Sequence, residues 1–151
     1  MPPFRVATAS FWSPEIRESE LAPIAISRGL PQEGRLPYRL AEHLRVLAPD
    51  RVEWLETFDE ARAHYVARMG ELGRMQLELL LRRIARDAGY SGVVLLCFEW
   101  KPDACHRSWF ARWWEDTGGQ TVAELAPPRP ARQRRKADDG QVSLPGITAT
   151  T

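Results

Sequence analysis

The 151-residue sequence lacks most of the features that assign a chain to a membrane, secreted or disulfide-rich class. It has only 2 cysteines, too few for a disulfide framework, so we expect reduced thiols and a cytoplasmic location. No apolar run approaches the roughly 20 residues of a membrane-spanning helix, and the opening residues, MPPFRVATAS, show no secretory pattern. The length and the apolar fraction of 44% indicate one globular domain with its own core.

The sequence also lacks a strong excess of charge of either sign, with 21 Lys and Arg against 20 Asp and Glu. This balance hides two regions: residues 126–151 carry 5 basic and 2 acidic side chains, whereas residues 1–125 carry 16 and 18. Region 126–151 has 4 prolines and no aromatic residue, so it cannot bury enough apolar surface to offset its conformational entropy. We predict a folded domain at 1–125 and a disordered basic tail at 126–151.

Within the predicted domain, short apolar runs alternate with helical patterns. Strand patterns occupy residues 4–9, 22–27, 92–98 and 121–125. Apolar residues recur at helical spacing after a capping box at Thr57 and Glu60. Two further helical patterns end at Gly89 and at Gly118. The interval 30–50 is less regular, and its leucine spacing favours a short helix through Leu40, Leu44 and Leu47. Helices between apolar strands predict an α/β domain with a short, largely parallel sheet flanked by helices.

The segment between the 92–98 strand and the last helix combines the residue types that carry chemistry. Cys97, Glu99, Cys105, His106 and Arg107 fall within eleven consecutive positions. The last three lie at or just before a predicted helix N-terminus, where free N–H groups and the helix dipole favour anions and thiolates. We therefore predict a catalytic site in which a cysteine is the nucleophile, His106 carries protons and Arg107 binds an anion.

A metal-binding interpretation uses the same residues. Both cysteines and His106 would bind zinc or iron, and Glu99, His43 or His64 would complete the site. Seven residues separate the cysteines, whereas zinc sites usually have two to four. The composition predicts no other cofactor.

A structural interpretation also remains open. In it, Cys97 is a small buried apolar residue and His106 hydrogen-bonds the neighbouring loop. Glu99 and Arg107 form a structural ion pair. No reaction follows from this interpretation.

The run LLCFEWKPDACHRSWFARWW resembles the signature of domain-of-unknown-function family 488, an apolar strand with Cys and Glu followed by Cys-His-Arg at a helix start. The resemblance covers about residues 4–125. It continues upstream through Arg28-Gly29 with Pro31, through Tyr38, and through Leu47-Ala48-Pro49. The resemblance implies an α/β fold and a shared site, and no particular reaction.

By that resemblance the site includes Arg28, which follows a second strand, together with Glu99 and the Cys-His-Arg residues. The layout also resembles rhodaneses and low-molecular-weight phosphatases, although the loop after Cys97 has no glycine to form a tight phosphate cradle. We expect an anionic or nucleotide-like ligand, bound by Arg28, Trp100, Arg107 and Ser108. If the chain is an enzyme, we expect a cysteine-dependent transferase or hydrolase.

The tail predicts a function of a different class. Its basic run at 132–136 suits phosphate backbones. The peptide that follows resembles the short motif by which many bacterial DNA-processing proteins dock on the sliding clamp, with anchors at Gln141, Leu144 and Ile147. In this alternative the protein is a non-enzymatic accessory module of DNA replication or repair.

Overall fold

The computed structural model describes residues 4–50, 57–99, 105–118 and 120–128, and within them the predicted α/β class is confirmed. The strands are β1 (Arg5–Ser10), β2 (Ala22–Ala25), β3 (Glu42–His43), β4 (Gly92–Cys97) and β5 (Ala123–Glu124). The helices are α1 (Phe58–Leu72), α2 (Arg74–Ala88) and α3 (His106–Gly118). Two 3-10 turns lie at Arg17–Ser19 and Arg45–Leu47.

The strands form a parallel sheet in the order β3-β2-β4-β1-β5. β4 pairs with β1 on one side and β2 on the other, and all six of its residues are buried. This confirms the expectation of a central strand that is covered on both faces. Because the strands are parallel, Ser10, Ala25 and Cys97 end neighbouring strands at the same edge of the sheet.

The two faces of the sheet are covered differently. The three helices pack over one face of the sheet. Their buried apolar side chains form a hydrophobic core with Val93 and Leu95 of β4. The other face, with Val94 and Leu96, is covered by irregular segments that include Phe11 and Tyr38. The Tyr38 hydroxyl donates to the Phe11 carbonyl oxygen at 2.8 Å, and burial raises the pKa of this tyrosine.

The interval 30–50 contains the 3-10 turn Arg45–Leu47 but not a longer helix through Leu40, Leu44 and Leu47. Its backbone instead pairs with the edge of β2: the Ala41 N–H donates to the Pro23 carbonyl and the Leu44 N–H to the Ala25 carbonyl. Pairing satisfies backbone groups of β2 that would otherwise be left unpaired at the edge of the sheet. Leu47 is nevertheless buried, as the leucine spacing suggested.

The ends of α1 and α2 match the sequence signals. Thr57 and Glu60 form the predicted capping box, in which the Thr57 hydroxyl accepts from the Glu60 N–H and the Glu60 carboxylate from the Thr57 N–H. Gly89 ends α2 with a φ of 89°, which a residue with a side chain rarely adopts.

Only residues 126–128 of the predicted tail belong to the described residues. Residues 129–151 lie outside the described residues, and so do the predicted docking anchors Gln141, Leu144 and Ile147. Among the described helices, none combines the length and the apolar character needed to cross a bilayer.

Candidate functional site

The site lies where β4 ends and α3 begins, at the carboxyl edge of the sheet. Cys97 is the last residue of β4, Cys105 directly precedes α3, and His106 is the first residue of that helix. The predicted placement of Cys105, His106 and Arg107 at a helix N-terminus is therefore correct. Trp100, predicted to border the ligand, lies outside the described residues.

Both cysteines of the sequence are joined in one disulfide, Cys97–Cys105. This differs from the reduced thiols that the low cysteine count led us to expect. The pairing arises because the end of β4 and the start of α3 are packed together, a proximity that residue spacing does not reveal. Both side chains are buried, at 1% and 3% exposure.

Arg107 is fully buried and its guanidinium contacts three groups. Nη2 and Nε donate to the Glu124 carboxylate at 3.0–3.2 Å. Nη1 donates to the Cys97 Sγ at 3.1 Å and to the Glu99 carbonyl oxygen at 2.5 Å. The guanidinium thus fixes the end of β4 and places a positive charge beside one sulfur of the disulfide.

The structural interpretation of the sequence paired Arg107 with Glu99, and this prediction is wrong. Arg107 pairs with Glu124 on β5, and Glu99 contributes its backbone carbonyl while its side chain is exposed. Glu124 is oriented by the Thr8 hydroxyl, which donates to it at 2.6 Å. Sequence reasoning missed Glu124 because the two-residue strand β5 lies 17 positions from Arg107 and carries no motif.

His106 is buried between the cysteines and the segment that follows β2. Its Nε2 lies 2.6 Å from the Ile26 carbonyl oxygen. A carbonyl only accepts, so Nε2 carries a hydrogen, and whenever the ring is neutral Nδ1 is its unprotonated nitrogen. Nδ1 faces the Cys105 Sγ at 3.6 Å. The ring can therefore accept a proton from a Cys105 thiol.

The sulfurs of Cys97 and Cys105 and a ring nitrogen of His106 lie within 4.8 Å of one another. In the described part of the chain, this is the group of side chains that could hold a metal ion. Glu99, His43 and His64, which the sequence offered as further ligands, do not belong to it. The His43 Nε2 instead contacts the Ser27 carbonyl oxygen at 2.7 Å.

Two predicted ligand-binding residues flank this group. Ser108 donates from its hydroxyl and its N–H to the Cys105 carbonyl, so it fixes the start of α3. Arg28 is exposed, two residues beyond the Ile26 carbonyl that binds His106, and its Nη1 donates to the Pro49 carbonyl at 3.3 Å. Arg28 thus belongs to the neighbouring strand end, as predicted, and its described hydrogen bond is to the segment that precedes residue 50.

A family model with the description "Domain of unknown function DUF488" matches residues 25–114, which is more than half of the chain. The matched range begins at the end of β2 and contains Arg28 and the whole Cys-His-Arg run, whereas Glu124 lies beyond it. No curated protein and no solved structure matches the chain significantly.

Proposed function

The chain belongs to the family of domain of unknown function DUF488, and we propose that it acts through reversible thiol–disulfide exchange between Cys97 and Cys105. The observation that carries the proposal is the disulfide between β4 and α3, with Arg107 on one sulfur and His106 on the other. A disulfide with a purely structural role needs neither contact. Exchange is favoured by both, because it forms a thiolate and moves a proton.

The contacts assign different roles to the two sulfurs. The Arg107 guanidinium stabilises negative charge on Cys97, which makes Cys97 the better leaving group. An external thiolate then attacks Cys105, forms a mixed disulfide with it, and releases Cys97 as a thiolate that takes up a proton. A second external thiol attacks the mixed disulfide and releases Cys105. Two external thiols are oxidised to a disulfide, and the chain gains two electrons and two protons.

His106 serves the reverse, oxidising direction. Its Nδ1 takes the proton from the Cys105 thiol, and the resulting thiolate attacks a disulfide substrate. The positive end of the α3 dipole favours that thiolate, since Cys105 directly precedes the helix. The proposed exchange is a different cysteine chemistry from the transfer or hydrolysis that the sequence suggested.

We also propose that the exchanging substrate is anionic or nucleotide-like. The α3 N-terminus favours negative charge, and the exposed guanidinium of Arg28 follows the neighbouring strand. Arg107, by contrast, is committed to Glu124 and Cys97, so it acts on the disulfide and does not bind the substrate.

The proposal is tested by a redox titration of the full chain with a metal chelator present. The protein is equilibrated with mixtures of oxidised and reduced dithiothreitol, alkylated and weighed by mass spectrometry. We expect the intact chain to gain either no alkyl group or two, with a two-electron dependence of roughly 30 mV per tenfold change in the redox ratio. Cys97→Ser or Cys105→Ser should remove the transition.

The role of His106 is tested through the rate of exchange. His106→Gln should slow oxidation of the reduced pair at least about tenfold, because the proton acceptor is lost. His64→Gln, which removes a half-buried histidine of α1, is the matched control and should leave the rate unchanged. Two thiols that stay free in fully oxidising buffer, or that titrate independently, would contradict the proposal.

A further inference from the structure

We propose that the reduced form of this centre binds a thiophilic divalent cation of the zinc type through Cys97, Cys105 and His106, and that oxidation to the disulfide expels it. The inference rests on the proposed function, because it concerns the reduced state of the same two sulfurs. It adds a ligand and a means of regulation: the metal occupies the centre only while the cysteines are reduced.

One distance within the group suits a tetrahedral ion. Zinc–sulfur and zinc–nitrogen bonds of about 2.3 and 2.0–2.1 Å at a tetrahedral angle separate sulfur from nitrogen by about 3.6 Å. The Cys105 Sγ and the His106 Nδ1 are 3.6 Å apart. The group thus already holds one sulfur–nitrogen edge of a zinc tetrahedron, before any side chain moves.

The orientation of His106 is typical of a metal ligand. Histidines that bind metals usually donate their second N–H to a carbonyl or carboxylate, which fixes the tautomer and the direction of the ring. The 2.6 Å contact of the His106 Nε2 with the Ile26 carbonyl does this, and it leaves Nδ1 towards the sulfurs. A histidine with only a packing role would not need the unprotonated nitrogen on this side.

The backbone spacing of the cysteines is wider than in most disulfides. Their Cα atoms are 7.4 Å apart, whereas most disulfides close over roughly 4.4–6.8 Å. Two thiolates on one zinc ion lie farther apart than two bonded sulfurs, so a wide Cα separation favours metal binding in the reduced state.

The charges around the group also balance when a divalent ion is bound. Two thiolates neutralise the ion, and Glu124 neutralises the neighbouring Arg107. Burying an uncompensated charge here would be costly, because both cysteines and Arg107 are almost fully buried. Two sulfurs and an imidazole nitrogen select soft metals over magnesium or calcium. The fourth position of the ion is left to water or an external thiolate.

Metal binding and disulfide formation each have a defined exchange of protons and electrons. Binding of the divalent ion to the reduced chain releases two thiol protons. A disulfide oxidant then takes two electrons from the two thiolates and becomes two thiols with two protons from water. The Cys97–Cys105 bond forms, and the ion leaves because its two sulfur ligands no longer carry negative charge.

The test is zinc uptake by the full chain in its two redox states. Reduced protein, prepared without oxygen, is mixed with zinc chloride, desalted and assayed by elemental analysis; oxidised protein is treated identically. We expect one zinc ion per reduced chain and none per oxidised chain. Cobalt chloride in place of zinc should give the sulfur-to-cobalt absorption band and the visible bands of a tetrahedral site.

The variants separate this site from adventitious binding. His106→Gln should weaken cobalt binding at least about tenfold, whereas His64→Gln should leave it unchanged. Reduced wild-type protein that retains no zinc, or whose cobalt complex lacks the sulfur band, would overturn the metal site even if the disulfide forms reversibly. Zinc bound by a chain that never forms the disulfide would overturn the thiol–disulfide proposal and the switch with it.

Discussion

Arg107 is a buried cation whose charge is balanced by the carboxylate of Glu124. The same guanidinium holds Cys97 and the backbone of Glu99. A charge in this position is stable only while its partner stays ionised, since an unpaired buried cation is strongly unfavourable. The Arg107–Glu124 pair therefore links the stability of the domain to the geometry of the disulfide.

Replacing Glu124 by Gln should destabilise the domain, because it keeps the shape of the side chain and removes its charge. We expect the free energy of unfolding to fall by about 2 kcal/mol, less than the 3–5 kcal/mol typical of fully buried pairs, since the Glu124 side chain is 29% exposed. Urea denaturation measures the change.

Asp116→Asn is the matched control. It breaks the ion pair with Arg112, whose two side chains are 80% and 67% exposed, and should change stability by no more than about 0.5 kcal/mol. Equal denaturation midpoints for Glu124→Gln and the wild type would show that the buried guanidinium does not depend on this carboxylate.

At the scale of single residues, the sequence indicated which side chains lie close together better than it indicated which groups they contact. Cys97, Cys105, His106 and Arg107 stand close together in the chain, and a strand-to-helix junction keeps such neighbours together in space. The disulfide, the Ile26 carbonyl and Glu124 could not be predicted, because each depends on how separate elements pack.

At the scale of elements, β4 determines where the site lies. It occupies the centre of the sheet and ends in Cys97, with β1 beginning beside its first residue at the pair Arg5–Gly92. Space there is very limited: a Cβ on Gly92 would lie 2.5 Å from the Arg5 backbone oxygen and 2.8 Å from a Leu21 methyl carbon. A side chain at position 92 must therefore push β1 and β4 apart.

Gly92→Ala should accordingly destabilise the domain by about 1–3 kcal/mol, the usual cost of overpacking. Gly70→Ala is the control: position 70 lies inside α1 with no heavy atom within 4 Å of the added Cβ. That change should stabilise the domain by about 0.5–1 kcal/mol, because alanine favours a helix over glycine. Thermal unfolding of both variants measures the two changes in stability. Equal changes for Gly92→Ala and Gly70→Ala would contradict the close packing at Gly92.

Elements with a hydrophobic period were predictable from the sequence. The strand expected at 92–98 is observed at Gly92–Cys97, and the first helix starts after its capping box at Phe58. β3 was missed, because a two-residue strand has no period and forms only through backbone pairing with β2. The sequence also did not reveal that all three helices lie on one face of the sheet.

At the scale of the whole molecule, the sequence divides the chain into a slightly acidic region, 1–125, and a basic region, 126–151. The disulfide and its contacts belong to the first region. A function that joins the chain to DNA would depend on the second, because the basic run at 132–136 holds most of its positive charge. The thiol–disulfide proposal and the clamp-docking function, which we propose as an alternative from the sequence, can therefore be tested separately on the same full-length protein.

The docking proposal predicts that the full chain binds a bacterial sliding clamp through Gln141 and Leu144. A glutamine that hydrogen-bonds in a groove and a leucine that fills an apolar pocket should act as anchors, so the double change Gln141→Ala and Leu144→Ala should weaken binding at least about tenfold. Thr148→Ala with Thr150→Ala alters the same segment outside the anchors and should leave affinity unchanged. Calorimetric titration of the clamp with the wild type and with each double variant measures the three affinities. Equal affinity of both double variants would eliminate docking through this peptide, and the thiol–disulfide proposal would be unaffected because its residues all precede position 126.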